Sequence, residues 1–188
     1  MRQRVTAERM DDFMLALASG ITTASRVFLV GGATAVLLGW RESTVAVDLK
    51  IVPETDEILR KLPTLKEQLQ INIELAAPDD FIPELPAWQE RSRFIRQEGK
   101  LTFLHYDLYA QALAKIERGH DTDVRDVQEL LSRKLIEPEV VLSFFERIKD
   151  QLYKYPTIDE ASFRRAIETA LKPRSKKGRQ TLKVLANA

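Results

Sequence analysis

Residues able to do chemistry fall in three stretches of the chain. The first is Gly31-Gly32, which follows the wholly apolar run Val27 to Val30 and precedes the apolar stretch Ala33 to Leu38. A glycine pair between a strand and a helix lets backbone approach a phosphate closely, at a helix end whose free N–H groups favour negative charge. The second stretch is VAVDLKIV, which carries Asp48, with Glu74 in the later segment INIEL as a further acid. The third is YDLYAQALAKIERGHDTDVRDVQEL, with Lys115, Arg118, Asp123 and Asp126. Lys115 and Arg118 are three apart, so on a helix they share a face, and two cations there could hold a phosphate. The plainer reading is a solvated basic pair beside acids that cap the next helix. Each stretch alone has such an ordinary explanation, and it is their order along the chain that sets them apart.

These residues need a sheet to position them. Thr6 to Ala18 carries an apolar stripe of Met10, Phe13, Met14 and Leu17 and stops at Gly20, which predicts an amphipathic helix. Val27 to Val30 predicts a buried strand, and Ala33 to Leu38 a short buried helix closed by Gly39. Over residues 45–52, Val45, Val47, Leu49 and Ile51 alternate with Ala46, Asp48 and Lys50, which predicts a second strand. Pro53 ends it. Thr55 to Gln70 reads as helix with Pro63 as a break point, and Ile71 to Leu75 as a third strand with Asn72 and Glu74 on its polar face. APDDFIPELP reads as a loop, and Trp88, in its PELPAW stretch, is ambiguous but could stack on a base. Arg91 to Gln97 and Lys100 to Tyr106 predict a hairpin around Glu98 and Gly99. After Asp107 only helical patterns follow: Leu108 to Arg118, Asp123 to Arg133, Pro138 to Tyr153 and Ile158 to Leu171. The expected fold is α+β, with a small mixed β-sheet flanked by helices over residues 1–106. A C-terminal helical bundle with a basic tail is expected over residues 107–188.

Taken in order, the glycine pair, the short helix, Gly39-Trp40-Arg41, Ser43-Thr44 and the strand carrying Asp48 resemble the nucleotidyltransferase superfamily that includes DNA polymerase beta. In particular they look like the toxin branch of AbiE-type toxin–antitoxin systems, over roughly residues 25–130. The resemblance implies Mg²⁺-dependent transfer of a nucleoside monophosphate from an NTP to an acceptor. It suggests RNA, such as a tRNA 3′ end, as that acceptor and a cognate antitoxin as a partner. By the resemblance, Gly31, Gly32, Thr34, Arg41, Ser43, Lys115 and Arg118 would contact nucleotide. Lys115 would reach the triphosphate, and Asp123 would position substrate or that lysine. The family pattern places Asp-x-Asp on the strand after the turn, because carboxylates two apart on a strand point the same way and jointly hold two Mg²⁺ ions.

Asp48 matches the second acid of that pair, and Glu74 the third acid, from a neighbouring strand. The first acid is replaced by Ala46, which supplies no oxygen, so this chain is expected to be inactive or strongly impaired. Two origins fit: a relative that has lost catalysis, or an Asp→Ala replacement made to silence a toxic enzyme. The intact neighbouring motif favours the second. A rival of another class fits the same residues: a pseudo-enzyme that binds nucleotide or a protein partner without turnover.

The bulk composition narrows the field further. The 188 residues suffice for one core with a helical extension, and 44% apolar with 30% charged residues is ordinary globular composition. With no cysteine there is neither a disulfide framework nor a thiolate metal site, and two histidines, His105 and His120, argue against a poly-imidazole zinc site. No secretory leader is legible and no apolar run approaches membrane-spanning length, so a cytoplasmic location without membrane contact is expected. The net charge of +1 gives no global pull towards nucleic acid. Its distribution is uneven, since Lys172, Arg174, Lys176, Lys177, Arg179 and Lys183 crowd one acid-free segment. Such a block attracts phosphate backbones in a salt-dependent way, although a solvated tail is the plainer reading. Lys176, Lys177 and Arg179, with Arg91 and Arg93 from the arginine-alternating strand, make up the expected nucleic-acid-binding set.

Overall fold

The computed structural model describes residues 2–172, so Lys176, Lys177 and Arg179 lie outside the described residues. Helix α1 (Ala7–Ala18) begins where the Thr6 hydroxyl accepts from the Arg9 N–H, and it buries Met10, Phe13, Met14 and Leu17. Strand β1 (Ser25–Val30) runs directly into α2 (Gly31–Leu37), so the glycine pair forms the first turn of that helix rather than a loop ahead of it. Strand β2 (Ala46–Val52) is followed by α3 (Asp56–Gln68), which Thr55 caps and which passes through Pro63 unbroken. Strand β3 (Asn72–Leu75) comes next. The stretch expected as loop holds a 3₁₀ turn, Pro78–Asp80, and beyond it lies a short helix α4 (Trp88–Arg91). Strands β4 (Arg93–Glu98) and β5 (Leu101–His105) form the hairpin around Gly99. Helices α5 (Leu108–Arg118), α6 (Asp121–Ser132), α7 (Pro138–Ile148) and α8 (Glu160–Leu171) complete the described chain.

The strands form one five-stranded mixed sheet in the order β3-β2-β1-β5-β4. β1 pairs antiparallel with β2 and parallel with β5, while β2 and β3 run parallel. Alternation along the strands sends side chains to two separate cores. On one face Val27, Leu29, Val47, Leu49, Ile51, Ile73 and Phe103 pack against Phe13, Met14 and Leu17 of α1 and Ile58, Leu62 and Leu65 of α3. On the other, Phe28 and Leu104 share a core with Trp88, Tyr106 and the apolar sides of α5 to α8. The architecture is the expected α+β one.

Two local expectations change. Arg91 ends helix α4 instead of lying on a strand, and a bulge between Phe94 and Arg96 breaks the alternation of arginine and apolar residues. Trp88 offers no free face to a base, because it is 3% exposed and stacks on Tyr106 with centroids 4.1 Å apart. Among the described residues, no helix is long and apolar enough to cross a membrane.

Candidate active site

Asp48 and Glu74 are direct partners in the parallel register of β2 and β3, so two acids stand side by side on one sheet face. Burial first, then the charge of Glu74, pushes the Asp48 carboxyl from its usual 3.8 up to about 6, against the opposing pull of Arg118 and Lys115. Asp48 also faces Val30 across β1, which brings its carboxylate to the start of α2. A Cβ on Gly31 would lie 3.4 Å from Asp48 Oδ2, and the φ of +58° there suits only glycine without strain. Gly32 is needed more sharply, since its Cβ would lie 2.0 Å from Thr44 Oγ1.

A buried polar network braces that turn from behind. The Gly31 N–H donates to Gln111 Oε1 (2.8 Å), and Gln111 Nε2 donates to Thr34 Oγ1 (3.2 Å) and to the Tyr106 carbonyl (2.8 Å). The Thr34 hydroxyl donates to the Leu29 carbonyl at 3.1 Å. Its single proton is therefore committed, and His105 Nδ1, 3.2 Å away, must be the protonated nitrogen of its ring. Burial, aided by the charge of Arg93, lowers His105 to about 4, so the ring is neutral at neutral pH. Thr34, expected on the nucleotide, is 2% exposed and holds the turn in shape instead.

Helices α5 and α6 supply the charges opposite the acids. Lys115 Nζ donates to Asp123 (3.2 Å) and Asp126 (2.6 Å). Arg118 donates twice to Asp123, at 2.7 and 2.6 Å. Arg41 donates twice to Asp126, at 2.9 and 2.6 Å, and the Trp40 indole N–H adds a third contact to it at 3.0 Å. Three cations thus share two buried carboxylates, which leaves one positive charge in surplus. Burial alone would raise Asp123, but the hydrogen bonds of Arg118 and the charges of Lys115 and Arg118 outweigh it and hold the carboxyl below its usual range. Asp123 is no mere cap, because it lies inside α6 and orders the cations. Lys115 is 8% exposed and enclosed by its acids, whereas the Arg118 side chain is 43% exposed and open to a ligand.

Other expected contacts are not gathered here. Arg41 and Ser43, with Arg4 and Arg125, line a separate groove of about 530 Å³ that Asp126 also borders. The Ser43 hydroxyl there accepts from Arg4 Nε at 2.7 Å. Arg91 donates twice to Asp107 (3.0 and 2.6 Å) and to the Pro86 carbonyl (2.8 Å), and its guanidinium covers Phe144. It is a strut between α4 and the start of α5, while Arg93 is exposed on β4. The sequence alone assigns no role to Gln111, His105, Trp40 or Asp126 in this network. The available clue was a polar residue such as Gln111 among Leu108, Ala112 and Leu113, because a buried polar group must find partners.

The donor set defines what metal the site fits. Asp48 and Glu74 repel each other, and one Mg²⁺ is commonly held by one or two carboxylates together with phosphate oxygens and water. The two acids suit that single ion. Among the described residues no three His, Cys, Asp or Glu side chains converge on a metal position, so a second ion has no evident holder. Ala46 stands opposite Asn72 in the same register, two residues before Asp48 on β2. In comparisons with known proteins, a family model described as "Nucleotidyltransferase of unknown function (DUF6036)" matches residues 8–170. Neither the curated proteins nor the solved structures contain a match.

Proposed function

The chain belongs to this nucleotidyltransferase family of unknown function, and on that premise we propose that Asp48, Glu74 and Arg118 form an NTP site lacking one acid needed for efficient transfer. The observation that carries the proposal is the register pairing of Asp48 with Glu74, within electrostatic reach of the Arg118–Lys115 cluster. Asp48 and Glu74 would hold one Mg²⁺, which would neutralise phosphate charge and polarise the transferred phosphoryl group. Gly31 leaves room for a phosphate beside Asp48. Arg118 offers its exposed guanidinium edge to the phosphate oxygens, and Asp123 fixes its direction. Lys115, clamped between Asp123 and Asp126, adds positive potential from behind.

Position 46 points to the same side of β2 as Asp48, so an acid there would complete the carboxylate pair. The test is a transfer assay with labelled NTPs, Mg²⁺ and an RNA pool containing tRNA, run on the parent chain and on Ala46→Asp. Label transferred only by Ala46→Asp supports a nucleotidyltransferase silenced at this position. Equal transfer by both proteins would contradict the role given to Ala46, and labelling of everything except RNA would remove RNA as the acceptor. A second reading keeps the same Asp48–Glu74 pair, with Ala46 two residues before Asp48, as a binding module without turnover. That reading predicts NTP affinity and no transfer from either protein. The proposal extends to a cytoplasmic toxin with a cognate antitoxin, on the resemblance of the Gly31–Asp48 and Lys115–Asp126 segments to that branch. Growth arrest on expression of Ala46→Asp, absent for the parent chain, is the expected result.

A further inference from the structure

The loop after Glu74 carries an aromatic ring that neither core uses. Phe81 is 43% exposed and belongs to neither hydrophobic cluster. Its backbone is nevertheless pinned on both sides. Asp80 accepts from the Ala77 N–H at 2.8 Å. Asp79 accepts from the Tyr106 hydroxyl at 3.1 Å and pairs with Lys50, and the Tyr155 hydroxyl donates to the Asp79 carbonyl at 2.8 Å. The next residue, Ile82, is buried at 1% exposure in the core beneath α5. The ring is therefore held out by the fold. The Arg118 guanidinium carbon lies 6.0 Å from its centroid. The same Arg118 lies within electrostatic reach of Asp48, so one guanidinium faces both that acid and the ring.

We propose that Phe81 is the stacking platform for the nucleobase of the bound NTP, with Arg118 placed between base and phosphates. This rests on the nucleotide-site reading above. Two features of the ring select the occupant. A base is flat and stacks on an aromatic face whatever its identity, and the neighbouring guanidinium is itself a favourable partner for both ring and phosphate. A phosphate held at Arg118 brings its own nucleoside towards Phe81, an exposed ring that the same guanidinium approaches. Stacking tolerates any base, so all four NTPs should gain from it.

The test uses the full chain, Phe81→Ala and Phe81→Trp, with Mg²⁺ throughout. Calorimetric affinities are measured for ATP, GTP, CTP and UTP, and for inorganic tripolyphosphate as a probe without a base. Loss of one stacked base corresponds to roughly five- to hundredfold in affinity. Phe81→Ala is expected to weaken NTP binding within that range and leave tripolyphosphate unchanged, and Phe81→Trp to retain or tighten NTP binding. Unchanged NTP affinity in Phe81→Ala would overturn the inference, as would an equal loss for tripolyphosphate. A parent chain that binds tripolyphosphate as tightly as NTPs also overturns it, while leaving the phosphate site standing. A parent chain that binds neither would remove the nucleotide-site reading itself, and this inference with it.

Discussion

Replacing Asp48 with asparagine should stabilise the ligand-free protein at pH 8 while destroying its proposed ligand site. The Asp48 carboxyl is raised from 3.8 to about 6 by burial and by Glu74. Below pH 3.8 the group is protonated in both folded and unfolded chains and carries no penalty. Between pH 3.8 and about 6 the unfolded chain ionises while the folded one stays protonated, so stability falls as pH rises. Above pH 6 the full difference applies, about 3 kcal/mol at 1.36 kcal/mol per pK unit, an upper bound because water screens a half-buried group. Asparagine keeps the shape and removes the charge. For a chain of this size the gain corresponds to roughly 6–12 °C in Tm. Urea unfolding of both proteins, followed by tryptophan fluorescence at pH 8 and again at pH 4, measures the difference directly. The expected advantage of Asp48→Asn is largest at pH 8 and nearly gone at pH 4. An Asp48→Asn protein equal to or weaker than its parent at pH 8 would refute the argument that the acid pair is held at a cost.

Three further outcomes follow from the same geometry. Gly32→Ala should lose roughly 1–3 kcal/mol in urea unfolding, because its Cβ would meet Thr44 at 2.0 Å and the helix start cannot shift freely. Asp126→Ala should lose about 3–5 kcal/mol, since Lys115 and Arg41 would be left without their shared acid; a loss below about 1 kcal/mol would show that the cluster relaxes. His105, lowered to about 4, contributes stability that is present above pH 6.5 and lost as pH falls towards 4. His105→Gln keeps a donor for Thr34 and should match its parent near pH 7.5 but gain on it by about 3 kcal/mol at pH 4, read from unfolding curves at both values. The His105 and Asp48 effects have opposite signs in overlapping windows, so the parent alone shows little net slope there and only variant-minus-parent differences resolve them.

Much of the sheet was legible because its side chains obey a strict period. Val47, Leu49 and Ile51 set the face of β2, and with it the side on which Asp48 must lie. The boundaries of α5 followed from the clear stripe between Asp107 and Gly119. What the sequence hid were contacts set by tertiary packing. Helix α4 is only four residues long, and Trp88 reads as a loop residue until Tyr106 and Phe28 close around it. Pro63 reads as a break, yet α3 continues because its apolar side is anchored by Ile58, Leu62 and Leu65. Within the site, the pairing of Asp48 with Glu74 depended on β3 lying parallel beside β2, which no local pattern specifies. Arg41 and Arg118 read alike as phosphate-binding candidates. Only the fold separates them, setting Arg41 against Asp126 and leaving Arg118 open beside Asp48.

The central claim is that Asp48 and Glu74 form the cation-dependent half of a nucleotide site. Titrating NTP into the full chain with Mg²⁺, then with EDTA, and repeating both with Asp48→Asn tests it most directly. The account predicts saturable binding that requires Mg²⁺ and is lost in Asp48→Asn, even though that variant is the more stable protein. Binding that is indifferent to Mg²⁺ or to Asp48, or no binding by the parent chain, would contradict it.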